Sequence, residues 1–146
     1  MTKRISIKKV DPAAYKAMYA LENYVEASKV TPIHQELIRI RASQVNGCAY
    51  CIDMHTKDAR KNGETEQRIY TLSAWRETPF FTEEERAILA LTEEVTLINQ
   101  QVSDETYEKA AKLLGEEYLA QVIMIIITIN AWNRIGITTK MQPALD

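Results

Sequence analysis

The chain has 146 residues, of which 46% are apolar and 26% charged, with a formal net charge of −2. A chain of this length suits one domain that buries roughly 70% of the surface its unfolded form exposes, so a core needs neither disulfides nor metal. The composition is that of an ordinary soluble globular protein, and without a basic excess no nucleic-acid partner is expected.

The opening stretch, MTKRISIKKV, never reaches the apolar run of a signal peptide. Two cysteines cannot build a secretory disulfide framework, so a cytoplasmic protein is expected. Asp11-Pro12 offers an N-cap acceptor followed by proline at the first helical position and predicts a helix over residues 12–28. Thr31-Pro32 repeats the device, and Gly47 is placed to end that second helix. A third helix is predicted from near Cys48 to Asn62-Gly63, and a shorter one over 65–75, before a turn at 78–81. Thr82 and Glu85 form a capping box, so the Glu83–Glu85 run reads as a cap and not as a metal site. The helix it opens is expected to bury Ile88, Leu91, Val95 and Ile98 at a 3-4-3 spacing. Ser103 caps the next helix and Gly115 ends it.

The β-branched run 122–127 would pass for a buried strand, but its flanks favour helix and no second strand-like run exists to pair with it. A helix over 116–135 is therefore predicted, apolar on nearly all sides and buried in a core or a subunit interface. Its apolar stretch, at most 118–132, is broken by Gln121, Thr128 and Asn130. A bilayer crossing needs about 20 residues, so no membrane association is expected. The predicted fold class is all-α, with residues 1–146 forming a single domain.

Cys48, Cys51 and His55 lie within eight residues, in the stretch NGCAYCIDMHTK. On one helix they occupy i, i+3 and i+7 and share a face, with His55 one turn beyond Cys51. Free amides in a first helical turn stabilise thiolates, whose pKa values in such settings fall to roughly 3.5–7.5. Cys51 and His55 thus have the makings of a nucleophile and its base, with Cys48 placed to resolve an oxidised Cys51. A structural disulfide is a weak alternative, because a loop this small constrains the unfolded chain little. Zinc is a stronger one, with His34, Glu36 or a second subunit completing the donor set. Two ordinary buried cysteines are a third. Redox chemistry is favoured, since CxxC in an intracellular protein is most often redox-active or metal-binding.

The pattern Glu36, eleven residues, Cys48-Ala49-Tyr50-Cys51, three residues, His55 resembles the signature of alkylhydroperoxidase D-like (AhpD-like) proteins of the carboxymuconolactone decarboxylase superfamily. RAILALTEEVTLI at 86–98 and INAWNRIGI at 129–137 are also similar to single-domain members. The resemblance implies an all-α helical bundle that assembles into homo-oligomers, with thiol peroxidase or disulfide reductase activity and no cofactor. It implies Cys51 as the peroxide-attacking thiol, Cys48 as the resolving thiol, and Glu36 with His55 as parts of a proton relay. It further implies a hydroperoxide substrate and a dithiol reductant of dihydrolipoyl or thioredoxin type. Tyr50 stands where some members carry a second histidine, and a tyrosine of ordinary pKa near 10 is a poor proton shuttle. Decarboxylation of a cyclic lactone acid is the least favoured activity, because that branch does not depend on a CxxC pair.

By residue type alone Glu36 reads as a solvated helix glutamate, and only the motif spacing reverses that. If it faces Cys48, burial would suit it to pass protons. His34 reads as a surface residue of the same first turn. Arg39 and Arg41 are placed to pair with Glu36 or Asp53. Trp132 is expected to pack and Arg134 to meet water or a carboxylate.

Overall fold

A computed structural model describes residues 3–145; the first two residues of the opening stretch and Asp146 lie outside it. The described residues are helical, with no strand among them. The α-helices are α1 (Ile7–Val10), α2 (Pro12–Glu26), α3 (Pro32–Asn46), α4 (Ala49–Lys61), α5 (Glu66–Thr71), α6 (Glu83–Thr96), α7 (Asp104–Leu114) and α8 (Glu116–Thr139). Their ends follow local chemistry. Asp11, Thr31, Thr65, Thr82 and Ser103 each accept a hydrogen bond from a first-turn amide, and Thr82 and Glu85 complete the capping box. Gly47 ends α3 at φ 72°, in the left-handed region that glycine enters without steric cost.

Helix α3 is the hub, packed against α4, α6 and α8. Its Ile38 and Ala42 join Ile88, Leu91, Val122, Ile125, Ile126 and Ile129 in one apolar cluster, to which both cysteines also belong. Its Leu37 and Ile40 join Leu72, Trp75, Phe81 and Leu89 in a second. Each fully buried Ile or Leu contributes about 1.5–3 kcal/mol, so α3 is secured from both sides.

Four expectations need correction. The short fourth helix is not continuous: α5 gives way to a 3₁₀ segment, Leu72–Glu77, interrupted at Ala74 by non-helical backbone. Ile98 is 56% exposed, because α6 stops at Thr96 and the apolar periodicity runs on past the helix that would have buried it. Helix α8 continues to Thr139, with 24 residues, and by length and composition it is sufficient to cross a bilayer. Two of the polar residues that seemed to break it bond within it, Thr128 Oγ1 donating to the Met124 carbonyl and Asn130 Nδ2 to that of Ile126, while Gln121 Oε1 accepts from the Lys29 N–H. Nor is α8 enclosed on all sides. Val122, Ile125, Ile126 and Ile129 face the core, while Ile127 and Ile137 are exposed.

Candidate active site

The junction between α3 and α4 places the cysteines. Gly47 reverses the chain, the Cys48 N–H donates back to the Ser43 carbonyl at 3.0 Å, and Cys48 becomes the N-cap of α4. Cys51 then occupies the third helical position, in the turn whose amides have no partner within the helix. Both residues are free thiols, 2% and 3% exposed. They are covered by α8 where it carries Gly136: a methyl group there would sit 3.2 Å from Cys48 Sγ and 3.8 Å from Cys51 Sγ.

From α4 a chain of polar side chains crosses three further helices. His55 Nδ1 lies 2.9 Å from Glu36 Oε2, and Arg39 Nη1 donates to Glu36 Oε1 at 2.6 Å. Arg39 Nη2 donates at 2.5 Å to Glu22 Oε1, and Trp132 Nε1 donates at 2.9 Å to Glu22 Oε2. Glu36, Arg39 and His55 are buried, so these pairs are little screened by solvent. A carboxylate only accepts, so the imidazole tautomer that satisfies Glu36 carries its proton on Nδ1 and a lone pair on Nε2. Trp132 also packs edge-on against Tyr15, with Tyr19 beside it.

A cavity of about 300 Å³ opens between these elements. Cys51 and His55 form part of its wall, Tyr19, Tyr50 and Trp132 give it aromatic sides, and Met54 and Met141 also line it. Its volume is at the lower end of the range typical for small-molecule sites.

The electrostatics of Cys51 differ from the sequence expectation. Burial pushes the thiol up, a hydrogen bond to Cys48 adds to this, and together they take it to about 12. Hydrogen bonds from Asn133 and Ser43 act in the opposite direction without overcoming them. The helix N-terminus therefore does not decide the state of this thiol while Cys48 is reduced beside it. A second correction concerns the base. His55 is hydrogen-bonded to Glu36 rather than to Cys51, and the two share the cavity wall instead.

Glu36 is 4% exposed and faces His55, not Cys48. His34 is half-buried rather than on the surface: its Nδ1 lies 2.7 Å from the Tyr118 hydroxyl, and burial holds it below its ordinary pKa. Arg39 pairs with Glu36, as one expectation allowed, whereas Arg41 goes to Glu93 at 2.7 Å. Arg134 is exposed to solvent, as expected, and also donates to the Asn130 carbonyl and side chain. Among the described residues no three His, Cys, Asp or Glu side chains are grouped to hold a metal ion. Glu22, Ser43, Asn133 and Gly136 were not singled out as site residues from sequence, although Asn133 lies in the INAWNRIGI stretch.

An all-α bundle with paired thiols at the start of an interior helix, and a histidine anchored by a carboxylate from the preceding helix, defines an AhpD-like protein. The chain belongs to the carboxymuconolactone decarboxylase family, whose model matches residues 12–94. It is 49% identical over 145 residues to the uncharacterized protein YdfG of Bacillus subtilis (strain 168), covering 99% of both chains. A crystal structure from Agrobacterium tumefaciens, of a protein of unknown function suggested to be the antioxidant defence protein AhpD, superposes with a TM-score of 0.96. That likeness is at 40% identity and covers 99% of this chain and 100% of the other. The debrominase Bmp8, in complex with 2,3,4-tribromopyrrole, shares the fold at a TM-score of 0.85 and 20% identity, over 93% of this chain and 73% of its own.

Proposed function

We propose that this protein is a cysteine-dependent hydroperoxidase that cycles Cys48 and Cys51 between dithiol and disulfide. The observation that carries this reading is the placement of Cys51 and a carboxylate-anchored His55 in the wall of one small aromatic-sided cavity. The Cys51 thiolate attacks an oxygen of the hydroperoxide, forming an S–O bond as the O–O bond breaks. The departing alkoxide takes a proton from His55, whose Nε2 lone pair had accepted it from the Cys51 thiol, and leaves as the alcohol. Cys48 then attacks the Cys51 sulfenic acid, the disulfide forms, and water departs. An external dithiol restores both thiols through a mixed disulfide and is itself oxidised.

The burial of both thiols favours a small hydroperoxide over a folded protein disulfide as oxidant. For the same reason a slender dihydrolipoyl group suits the site better as reductant than thioredoxin does. The test is hydroperoxide consumption by metal-free protein with excess dihydrolipoamide, beside Cys51→Ser. Turnover that disappears in the variant is expected. No turnover by the unmodified protein refutes the reading.

A further inference from the structure

The cavity beside Cys51 has two unlike linings. Its broad faces are apolar, made by Tyr19, Tyr50 and Trp132 with Met54 and Met141. Its charges are mostly of one sign. Residues 19, 22 and 26 recur at helical spacing along α2, and 51, 55 and 58 along α4, so each helix turns one stripe toward the cavity. Those stripes bring Glu22, Glu26 and Asp58 to the wall.

Arg39 is the one cation among the described residues of that wall, and it is already committed: Nη1 donates to Glu36 and Nη2 to Glu22. One guanidinium between two carboxylates leaves a negative charge over, before Glu26 and Asp58 are considered. Asp58 meets Lys61 at 2.8 Å, yet that lysine stands outside the wall, with its side chain 75% exposed. Glu26 closes α2, whose last turn holds no basic residue, so the negative end of the helix dipole reinforces it.

A cleft lined by charges of one sign, with low-dielectric walls, focuses their field on whatever enters. A carboxylate entering here would lose hydration to meet like charge and aromatic faces, with no uncommitted cation among the described wall residues to receive it. An uncharged group meets no such penalty and gains contact with the rings. We propose that this cavity selects by charge: it admits uncharged hydroperoxides and turns away those that carry a carboxylate, with Glu26 and Asp58 as the specificity-determining residues. Glu22 is less available for that role, since Arg39 and Trp132 hold its two oxygens. A cyclic lactone acid would meet the same repulsion. The inference rests on the hydroperoxidase reading for its substrate, whereas charge selection itself can be read without peroxide.

Iodoacetamide and iodoacetate provide that reading. The two are close in size and alkylate a thiolate in the same way, sulfur displacing iodide, but only iodoacetate is an anion. In Cys48→Ser protein Cys51 is the sole thiol, and the ratio of the two rates cancels that thiol's own acidity. The ratio is expected to favour iodoacetamide about tenfold more in the folded protein than in the same protein unfolded in urea. Glu26→Gln and Asp58→Asn should each narrow it about threefold. Salt at about 1 M, where the Debye length falls to about 3 Å, should narrow it too. Glu83→Gln removes the same charge from α6, which gives no residue to the cavity, and should leave the ratio where it was.

A folded ratio equal to the unfolded one, or one that Glu26→Gln and Asp58→Asn both fail to move, overturns the proposal. Should burial keep both reagents from Cys51, saturation-transfer NMR with cumyl alcohol and its para-carboxylate decides instead. Contact by the alcohol alone upholds the selection; equal contact, or none, overturns it. Charge selection in a protein that never turns over cumene hydroperoxide would keep the role of the wall and discard the hydroperoxidase. Equal turnover of cumene hydroperoxide and its para-carboxylate would do the reverse.

Discussion

Alanine at position 136 sets two effects against each other beside the thiols. Gly136 lies inside α8, where replacing glycine by alanine alone stabilises a helix by about 1 kcal/mol. The new methyl, however, meets Cys48 Sγ at 3.2 Å, short of the 3.5–4.0 Å or so of a relaxed contact between heavy atoms. Cys48 has little room to retreat, being 2% exposed with its amide held by the Ser43 carbonyl. Overpacking of a closed core costs about 1–3 kcal/mol. The overlap therefore offsets or exceeds the helix gain, and Gly136→Ala should lose about 0–2 kcal/mol. Urea unfolding of the reduced protein, followed by far-UV circular dichroism, measures this directly. Alkylation of both thiols should change as well, since the methyl displaces the sulfur atoms. A variant about 1 kcal/mol more stable than the parent, with unaltered thiol reactivity, would refute the close approach as a constraint.

Two further outcomes are expected. Cys51 is held up to about 12 in the folded protein, while the unfolded chain releases this proton near pH 8.5, so the folded state keeps a proton that the unfolded state loses. Its contribution is complete below about pH 8.5 and is lost as pH rises toward 12; reduced protein should therefore lose stability over that window more steeply than Cys51→Ser, and parallel urea midpoints would contradict this. Glu93 receives Arg41 Nε at 2.7 Å, Trp75 Nε1 at 2.8 Å and Arg76 Nη1 at 2.5 Å, and though burial pushes its carboxyl up, these donors hold it below the ordinary value. Glu93→Ala strands the half-buried Arg41 and should cost about 3 kcal/mol, or about 6–12 °C in Tm, with a loss under about 1 kcal/mol showing that water replaces the carboxylate.

Helix limits were legible because they are written in adjacent residues. A cap at Thr31 or Thr82 needs only the amide three positions on, and Gly47 needs only its own φ. Spacing alone put Cys48, Cys51 and His55 on one helix, whereas Glu36 was picked out only through the family resemblance; it meets His55 across the α3–α4 junction. What escaped came from far along the chain. Ser43 meets Asn133 across 90 positions, and Trp132 meets Glu22 across 110. His34 looked superficial because Tyr118, its partner, is 84 positions away. The thiol of Cys51 was misjudged for the same cause, since the helix terminus is local while the burial that outweighs it is supplied by α8. Ile98 erred in the other direction: its spacing was right, but the helix that would have turned it inward had already ended.

The chain from His55 through Glu36, Arg39 and Glu22 to Trp132 has a consequence for cutting this protein down. Apart from Glu36–Arg39, one turn apart on the same face of α3, each link joins two different helices, and none closes within α4. A peptide of residues 48–61 would retain both thiols and the histidine, yet the imidazole would lose the acceptor that selects its tautomer. Removing α8 would take away Trp132 and leave Glu22 with one partner fewer, loosening Arg39 and, through it, Glu36. Fragments that preserve the motif would therefore be reactive toward alkylating agents and oxidants in general, with the imidazole no longer held in the orientation that the intact bundle gives it.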